Sequence, residues 1–267
     1  MDIPVVGLKL IMVDKTAVGG GAKVTFVSKD ANVAKGMGTD AANIFAGMSV
    51  AYDGKVGSFV MPPGSSWVVN KPTVAKYSNG AAPSGGSVKV SVVKPGLLVK
   101  TVAKSLGDSP IDISAPPAGS VYVSYAVANE GDGYRHCTQF GTCVHKVVAG
   151  GSGYKLVCKG DSTGDPTCSG ATPQCCSVAA LSLCGHLDPF LCVLSGGTVG
   201  GAASSCDSVT GTCGASASAG NCCAGIFGDG GVGPFCIAGP FVDTSVCAEQ
   251  GGTHTASAVC QPDGSCS

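Results

Sequence analysis

All sixteen cysteines of this 267-residue chain fall between residues 137 and 266, a stretch of 130 residues. They are Cys137, Cys143, Cys158, Cys168, Cys175, Cys176, Cys184, Cys192, Cys206, Cys213, Cys222, Cys223, Cys236, Cys247, Cys260 and Cys266. An even set at this density is the signature of a disulfide scaffold, and disulfides persist only in an oxidising compartment. A reduced metal-binding protein would show pairs two to four residues apart, and no CxxC pair is present. The expected location is therefore secreted or cell surface, and the expected role of the cysteines is disulfide pairing. The adjacent pairs Cys175-Cys176 and Cys222-Cys223 are expected to send their sulfurs to different partners, because a bridge between neighbours is strained.

Before the cysteines begin, the chain alternates strand-like runs with turn chemistry. MSVAYDGKVGSFVM carries Asp53-Gly54 at a hairpin position, and SVKVSVVKPGLLVKTVAK turns at Lys94-Pro95-Gly96. In SVYVSYAVA, residues Val121, Val123, Tyr125 and Val127 share one face. TCVHKVV, AGGSG and YKLVC read as one further hairpin. The fold class expected is mainly β: an antiparallel β-sandwich over residues 1–158, then a small, loop-dominated disulfide module over 159–267 with one or two short helices. Residues 31–47 read as a short helix or a crossing loop. The run 175–194 is the plausible helix, with Ala179, Leu183 and Leu187 at intervals of four and Pro189 to interrupt it.

Residues 159–267 contain only 19 large aliphatic or Phe and Met side chains, too few to hold that length by burial alone. Disulfides, each contributing roughly 2–4 kcal/mol, must supply the remainder. Three cysteines precede this boundary and thirteen follow it, so complete pairing needs at least one bridge across it. Cys158 to Cys168 would serve. CKGDSTGDPTC, CDSVTGTC and CQPDGSC each place two cysteines around a Gly turn, as a bridged hairpin would.

Catalytic patterns are absent: no GxSxG, HExxH, phosphate-binding loop or dinucleotide fingerprint occurs, and Glu130 and Glu249 are the only glutamates. The expectation is no enzyme and no cofactor. HCTQFGTCVH brings together His136, Cys137, Cys143 and His145, yet a Cys137–Cys143 disulfide with two surface histidines is the simpler reading, and no metal is expected. NEGDG (129–133) and GDSTGD (160–165) offer two carboxylates each, short of the six to eight oxygens calcium takes, and read as solvated turns. No apolar run reaches a membrane span; residues 3–13 are interrupted by Gly7 and Lys9 and read as a strand rather than a signal peptide, which export would have removed.

Charge is distributed unevenly. Residues 1–158 carry 15 basic and 9 acidic side chains, residues 159–267 carry 1 and 8, and the net charge of −1 excludes general attraction to nucleic acid. Opposite charges of this kind either face each other within one monomer or suit head-to-tail self-association, which forms a filament when its rotation does not close.

Across AKVTFVSKDANV, SVKVSVVKPGLLVKTVAK and RHCTQFGTC the chain resembles secreted bacterial proteins that combine a Val- and Lys-rich β-sandwich with a tail of short disulfide loops. That resemblance implies the architecture and transfers no active site. The functional expectation is an extracellular structural or adhesive surface protein, self-assembling or engaging a cell-surface component. Two alternatives stand beside it. One is a carbohydrate-binding module presenting Trp67, Tyr77, Tyr122 or Tyr134 to a glycan, although a single tryptophan in a sandwich is more often a core residue; the other is an inhibitor-like disulfide scaffold over 159–267.

Overall fold

Between residues 2 and 164, period-2 alternation of Val, Ile and aromatic residues with Lys, Ser and Thr makes strands that each have one face to bury. The computed structural model describes residues 2–34, 44–53, 55–62, 64–69, 74–79, 88–106, 112–129, 132–169, 174–187, 192, 197–200, 204–228, 232–249 and 251–267. The chain forms two compact units, Met1–Ala171 and Thr172–Ser267.

The first unit is a mainly antiparallel β-sandwich. Its strands are β1 (Asp2–Pro4), β2 (Gly7–Asp14), β3 (Gly21–Ser28), β4 (Phe45–Tyr52), β5 (Lys55–Met61), β6 (Trp67–Val69) and β7 (Ala75–Ser78). There follow β8 (Val88–Lys94), β9 (Leu98–Leu106), β10 (Val121–Asn129), β11 (Asp132–Phe140), β12 (Cys143–Val147), β13 (Tyr154–Lys159) and β14 (Ser162–Gly164). One sheet runs β1-β11-β10-β4-β5, with β14 also on β11; the other runs β12-β13-β2-β3-β9-β8-β7-β6. Among the described strands of this unit only β1 on β11 is parallel.

Leu10, Met12, Val24 and Phe26 of the eight-stranded sheet pack in one cluster with Met48, Val50, Val123 and Tyr125 of the other. Each such side chain contributes roughly 1.5–3 kcal/mol by burial. Within this apolar layer the Tyr125 hydroxyl shares a hydrogen bond with Ser91 Oγ at 2.9 Å, and Ser91 shares another with Thr101 Oγ1 at 2.9 Å, tying the two sheets together.

The expected turns are present. Asp53, between β4 and β5, has φ of 49°. Gly96 has φ of 68°, which glycine adopts without a Cβ penalty, while the Leu97 amide donates to the Lys94 carbonyl at 3.0 Å. Of the stretch 31–47, residues 35–43 lie outside the described residues, and the chain is in β4 from Phe45.

The second unit contains β15 (Gln174–Val178), β16 (Leu183–Leu187), β17 (Thr198–Val199), β18 (Ser205–Asp207), β19 (Thr212–Gly214), β20 (Gly220–Gly228), β21 (Val232–Ala238), α1 (Thr244–Glu249) and β22 (Thr253–Ala258). The helix expected within 175–194 is instead the β15–β16 hairpin as far as Leu187. Ser182, at φ of 49°, turns the chain, and strand pairing together with buried Cys175, Cys176 and Cys184 overrides the fourfold spacing of Ala179, Leu183 and Leu187.

All sixteen cysteines are paired. The pairs are Cys137–Cys168 and Cys143–Cys158 in the first unit, then Cys175–Cys213, Cys176–Cys192, Cys184–Cys206, Cys222–Cys266, Cys223–Cys247 and Cys236–Cys260 in the second. The expected Cys137–Cys143 bridge does not form, because β11 and β12 belong to different sheets. Cys143 instead lies directly opposite Cys158, with Cα atoms 4.2 Å apart, and this removes Cys158 as a partner for Cys168. The bridge that parity requires across residue 158 is Cys137–Cys168.

The second unit is an internal duplication. Its six-stranded sheet has the order β17-β15-β16-β21-β20-β22, two three-strand halves meeting at β16 and β21. Numbering the cysteines of each half one to six, both halves pair first with sixth, second with fourth and third with fifth. Thr198 and Val199 pair with Ser177 and Cys176, as Thr253 and His254 pair with Ala224 and Cys223. The sequence D-x3-C-x3-GGT recurs at 188–198 and 243–253. At the junction Gly185 pairs with Ile237, and a Cβ on Gly185 would lie 2.3 Å from the Cys236 carbonyl oxygen.

Duplication also explains why the short hairpins are not bridged within themselves. Cys206 lies opposite Cys213, and Cys260 opposite Cys266, but all four sulfurs reach cysteines of the β15–β16 or β20–β21 hairpins. Each small ribbon is thus stapled to its half by two bridges.

Candidate functional site

Strand alternation that sends Leu10, Met12, Val24, Phe26, Val99 and Leu156 into the sandwich sends Lys to its outside. Strand register then orders these lysines. Lys146 lies opposite Lys155, Lys155 opposite Val13, Val13 opposite Lys23, and Lys23 opposite Lys104, one row across β12, β13, β2, β3 and β9. Four residues along the strands a second row runs Lys159, Lys9, Val27, Lys100, Val92 and Lys76. Between them lies Val144, Val157, Ile11, Thr25, Val102, Val90 and Ser78.

A strand rise of about 3.4 Å per residue puts the two lysine rows about 14 Å apart, with an aliphatic floor between them. Lysine stems lie over such a floor while their ammonium groups reach water.

Three pairs in this face, Lys146 with Lys155, Lys23 with Lys104 and Lys9 with Lys159, set like charges directly opposite each other. Each such pair opposes sheet formation by roughly 0.2–1 kcal/mol. No carboxylate occupies any of the three rows. The ion pairs among the described residues, Lys55 with Asp112 and Arg135 with Asp2, lie on the six-stranded sheet and its loops. Charge separates between units as well: residues 1–171 carry 16 basic and 11 acidic side chains, while residues 172–267 carry no Lys or Arg and 6 acidic ones.

The aromatic candidates do not form a platform. Trp67 and Tyr77 are both 2% exposed and pack edge to face with ring centroids 5.2 Å apart, and the indole N–H donates to the Pro62 carbonyl at 3.0 Å. Tyr122 and Tyr134 are half-buried, Tyr134 against the core. Strand alternation places Trp67 and Tyr77 on the core face of the sheet, which rules out stacking of a sugar on either ring.

The group HCTQFGTCVH is dispersed by the sandwich. His136 is fully buried: the Ala34 N–H donates to Nε2 at 3.0 Å, which leaves the proton on Nδ1, 3.3 Å from the Tyr125 carbonyl. Burial pushes its pKa down to about 4, against the smaller upward effects of the Tyr125 carbonyl and Asp30. His145 lies on the other sheet, stacked on Tyr154 with Nε2 3.0 Å from the Ile113 carbonyl. Correcting the surface expectation, His136 is a core residue, and Cys137 and Cys143 are held in separate disulfides.

The sulfurs of Cys222, Cys236 and Cys260 lie within 4.8 Å of one another, but all three are disulfide-bonded and offer no thiolate. In GDSTGD, the Asp165 carboxylate is buried and accepts from Thr167 N–H, Thr167 Oγ1 and Ser169 N–H, a turn made by the side chain. In NEGDG, Glu130 and Gly131 lie outside the described residues.

The second unit contains a cavity of about 500 Å³ lined by Gln174, His186, Ser204, Ser205, Gln261 and Pro262 among others. His186 is 7% exposed, its Nδ1 has no hydrogen-bond partner, and burial lowers its pKa, which favours the neutral imidazole. Among the described residues, none that lines the cavity is charged. It suits an uncharged polar molecule or ordered water.

Comparison with protein-family models, curated proteins and solved structures finds no match. The lysine rows follow from no motif. Their signal in sequence is Lys on the polar side of the strand alternation, singly in GLKLIM and AKVTF and four residues apart in VKTVAK and YKLVCK. Eight disulfides point to an oxidising, extracellular environment, and no described helix is long and apolar enough to cross a membrane.

Proposed function

We propose that the protein is an extracellular adhesive protein that acts through the lysine-bearing face of its eight-stranded sheet rather than by catalysis. The observation that carries this reading is the set of three directly opposed lysine pairs with no carboxylate in their rows. A sheet that retains such repulsion gains from a polyanionic partner what it loses in isolation, and the disulfides keep the fold intact outside the cell. The test is retention of the oxidised protein on anionic and uncharged beads of equal size. Retention on anionic beads alone, lost in a Lys23→Gln, Lys104→Gln variant, supports the reading; equal retention of both proteins removes it.

A second reading, head-to-tail self-association, is favoured by the complete absence of Lys and Arg from residues 172–267. Here the acidic unit of one copy occupies the lysine face of the next, and the contact propagates if its rotation does not close. Sedimentation velocity at low and high salt separates the cases. Salt-sensitive growth in size with concentration supports a filament, and a single monomeric boundary throughout opposes it.

A further inference from the structure

We infer that the trough between the two lysine rows binds a linear acidic polysaccharide, one bearing carboxylate or sulfate groups along its length. The inference rests on the adhesive reading and names its partner.

Geometry favours a narrow, extended polyanion. The central row, Val144, Val157, Ile11, Thr25, Val102, Val90 and Ser78, crosses seven strands, about 29 Å at the usual strand spacing of about 4.8 Å. Ammonium groups border it on both sides: Lys146, Lys155, Lys23 and Lys104 on one, Lys159, Lys9, Lys100 and Lys76 on the other. A single chain of sugar rings laid along this row sets its C–H surfaces on the β-branched floor. Its acidic groups, alternating in direction along the chain, meet lysines on both flanks.

Chemistry separates this partner from the other polyanions. Single-stranded nucleic acid is held by stacking on aromatic rings, and the three rows contain none. Arginine, which recognises phosphate through two parallel hydrogen bonds, is also missing from the face; eight lysines act as point charges tolerant of carboxylate and sulfate spacing. The oxidising environment indicated by eight disulfides puts the face where acidic polysaccharides form surfaces and matrices. Recognition is thus by charge on a sheet face, not by the buried Trp67 and Tyr77.

The experiment uses the full, oxidised chain and isothermal titration with polygalacturonate and heparin as probes, dextran as the uncharged control, and anionic phospholipid vesicles and duplex DNA as competing classes. Two variants remove equal charge: Lys23→Gln with Lys104→Gln inside the rows, and Lys15→Gln with Lys29→Gln outside them. The expected result is binding of both acidic polysaccharides and not dextran, weakened at least tenfold in the first variant and less than twofold in the second, with affinity rising with oligosaccharide length until the trough is spanned. Binding of vesicles or DNA but of neither polysaccharide, still dependent on Lys23 and Lys104, overturns the polysaccharide assignment and leaves the adhesive reading standing. Binding of no anionic probe at physiological salt, or equal loss in both variants, overturns both.

Discussion

Lys23 stands directly opposite Lys104 across the β3–β9 pairing, with Lys155 and Lys146 continuing the same row on the far side of Val13. Like charges in this arrangement repel, so the face proposed to bind a polyanion is also a weak point of the isolated fold. Lys104→Glu converts repulsion to attraction and is expected to raise stability by roughly 0.5–1 kcal/mol while weakening polyanion binding. Urea unfolding midpoints at low salt measure the first effect, and the gain shrinks as salt screens both charges. A Lys104→Glu protein that is less stable than the parent at low salt would show that the lysine pairs are already neutralised within the fold.

His136 gives the first unit a defined acid response. Its folded pKa of about 4 lies below the ordinary 6.5. The unfolded chain therefore takes up a proton first as pH falls. The contribution of the neutral ring is fully present above pH 6.5 and is lost between 6.5 and 4, by up to about 3 kcal/mol over that window. Asp112, held down to about 2 by its hydrogen bond from Lys55, enters only below about pH 4. Equilibrium unfolding of parent and His136→Gln proteins at pH 7, 5.5 and 4.5 should show a steep decline in the parent and a shallow one in the variant. Parallel declines in the two proteins would place the acid sensitivity elsewhere.

The sandwich was legible because its physics is local. Period-2 runs such as Val121, Val123, Tyr125 and Val127 announce a buried face, and Asp53 and Gly96 announce turns. Pairing was not legible, because it depends on which strands become neighbours. Nothing near Lys23 in sequence indicates Lys104, and nothing near Cys143 separates Cys158 from Cys137. The duplication was hidden by unequal insertions: Cys176 and Cys184 are 8 residues apart, whereas their counterparts Cys223 and Cys236 are 13 apart. For 175–187 the fourfold spacing of Ala179, Leu183 and Leu187 imitated a helix, although the adjacent cysteines need the alternating directions of a strand to reach two different partners. For Trp67 the choice between core and sugar platform needed the same register, since only its pairing with Tyr77 shows which way both rings face.

Tyr125 and Ser91 predict an asymmetry between two conservative substitutions. Removing the Tyr125 hydroxyl leaves Ser91 bonded to Thr101, so Tyr125→Phe loses one hydrogen bond and about 1 kcal/mol. Ser91→Ala instead strands the hydroxyls of Tyr125 and Thr101, both fully buried, and is expected to lose roughly 2–3 kcal/mol. Urea unfolding of both variants decides the order. Equal losses would mean that another group takes over the orphaned hydroxyls.

The duplicated unit predicts equal consequences at equivalent positions. Gly197 and Gly252 close the GGT turn of each half, their amides donating to the Cys192 and Cys247 carbonyls at 2.8 and 3.0 Å. A Cβ on Gly197 would lie 2.7 Å from Cys176 Sγ, and one on Gly252 would lie 2.5 Å from Cys223 Sγ. In each half the clash is with the bridge from the second cysteine to the fourth, held by covalent bonds and unable to rotate away. Gly197→Ala and Gly252→Ala are each expected to destabilise the unit by at least about 2 kcal/mol, as overpacking against rigid atoms does. Peptide mapping of the unreduced parent should recover the six pairs of residues 175–266, and the same map of each variant should show scrambling of the affected half first. A tolerated alanine at one position and not the other would show that the two halves, though paired alike, do not share the same packing around the bridge.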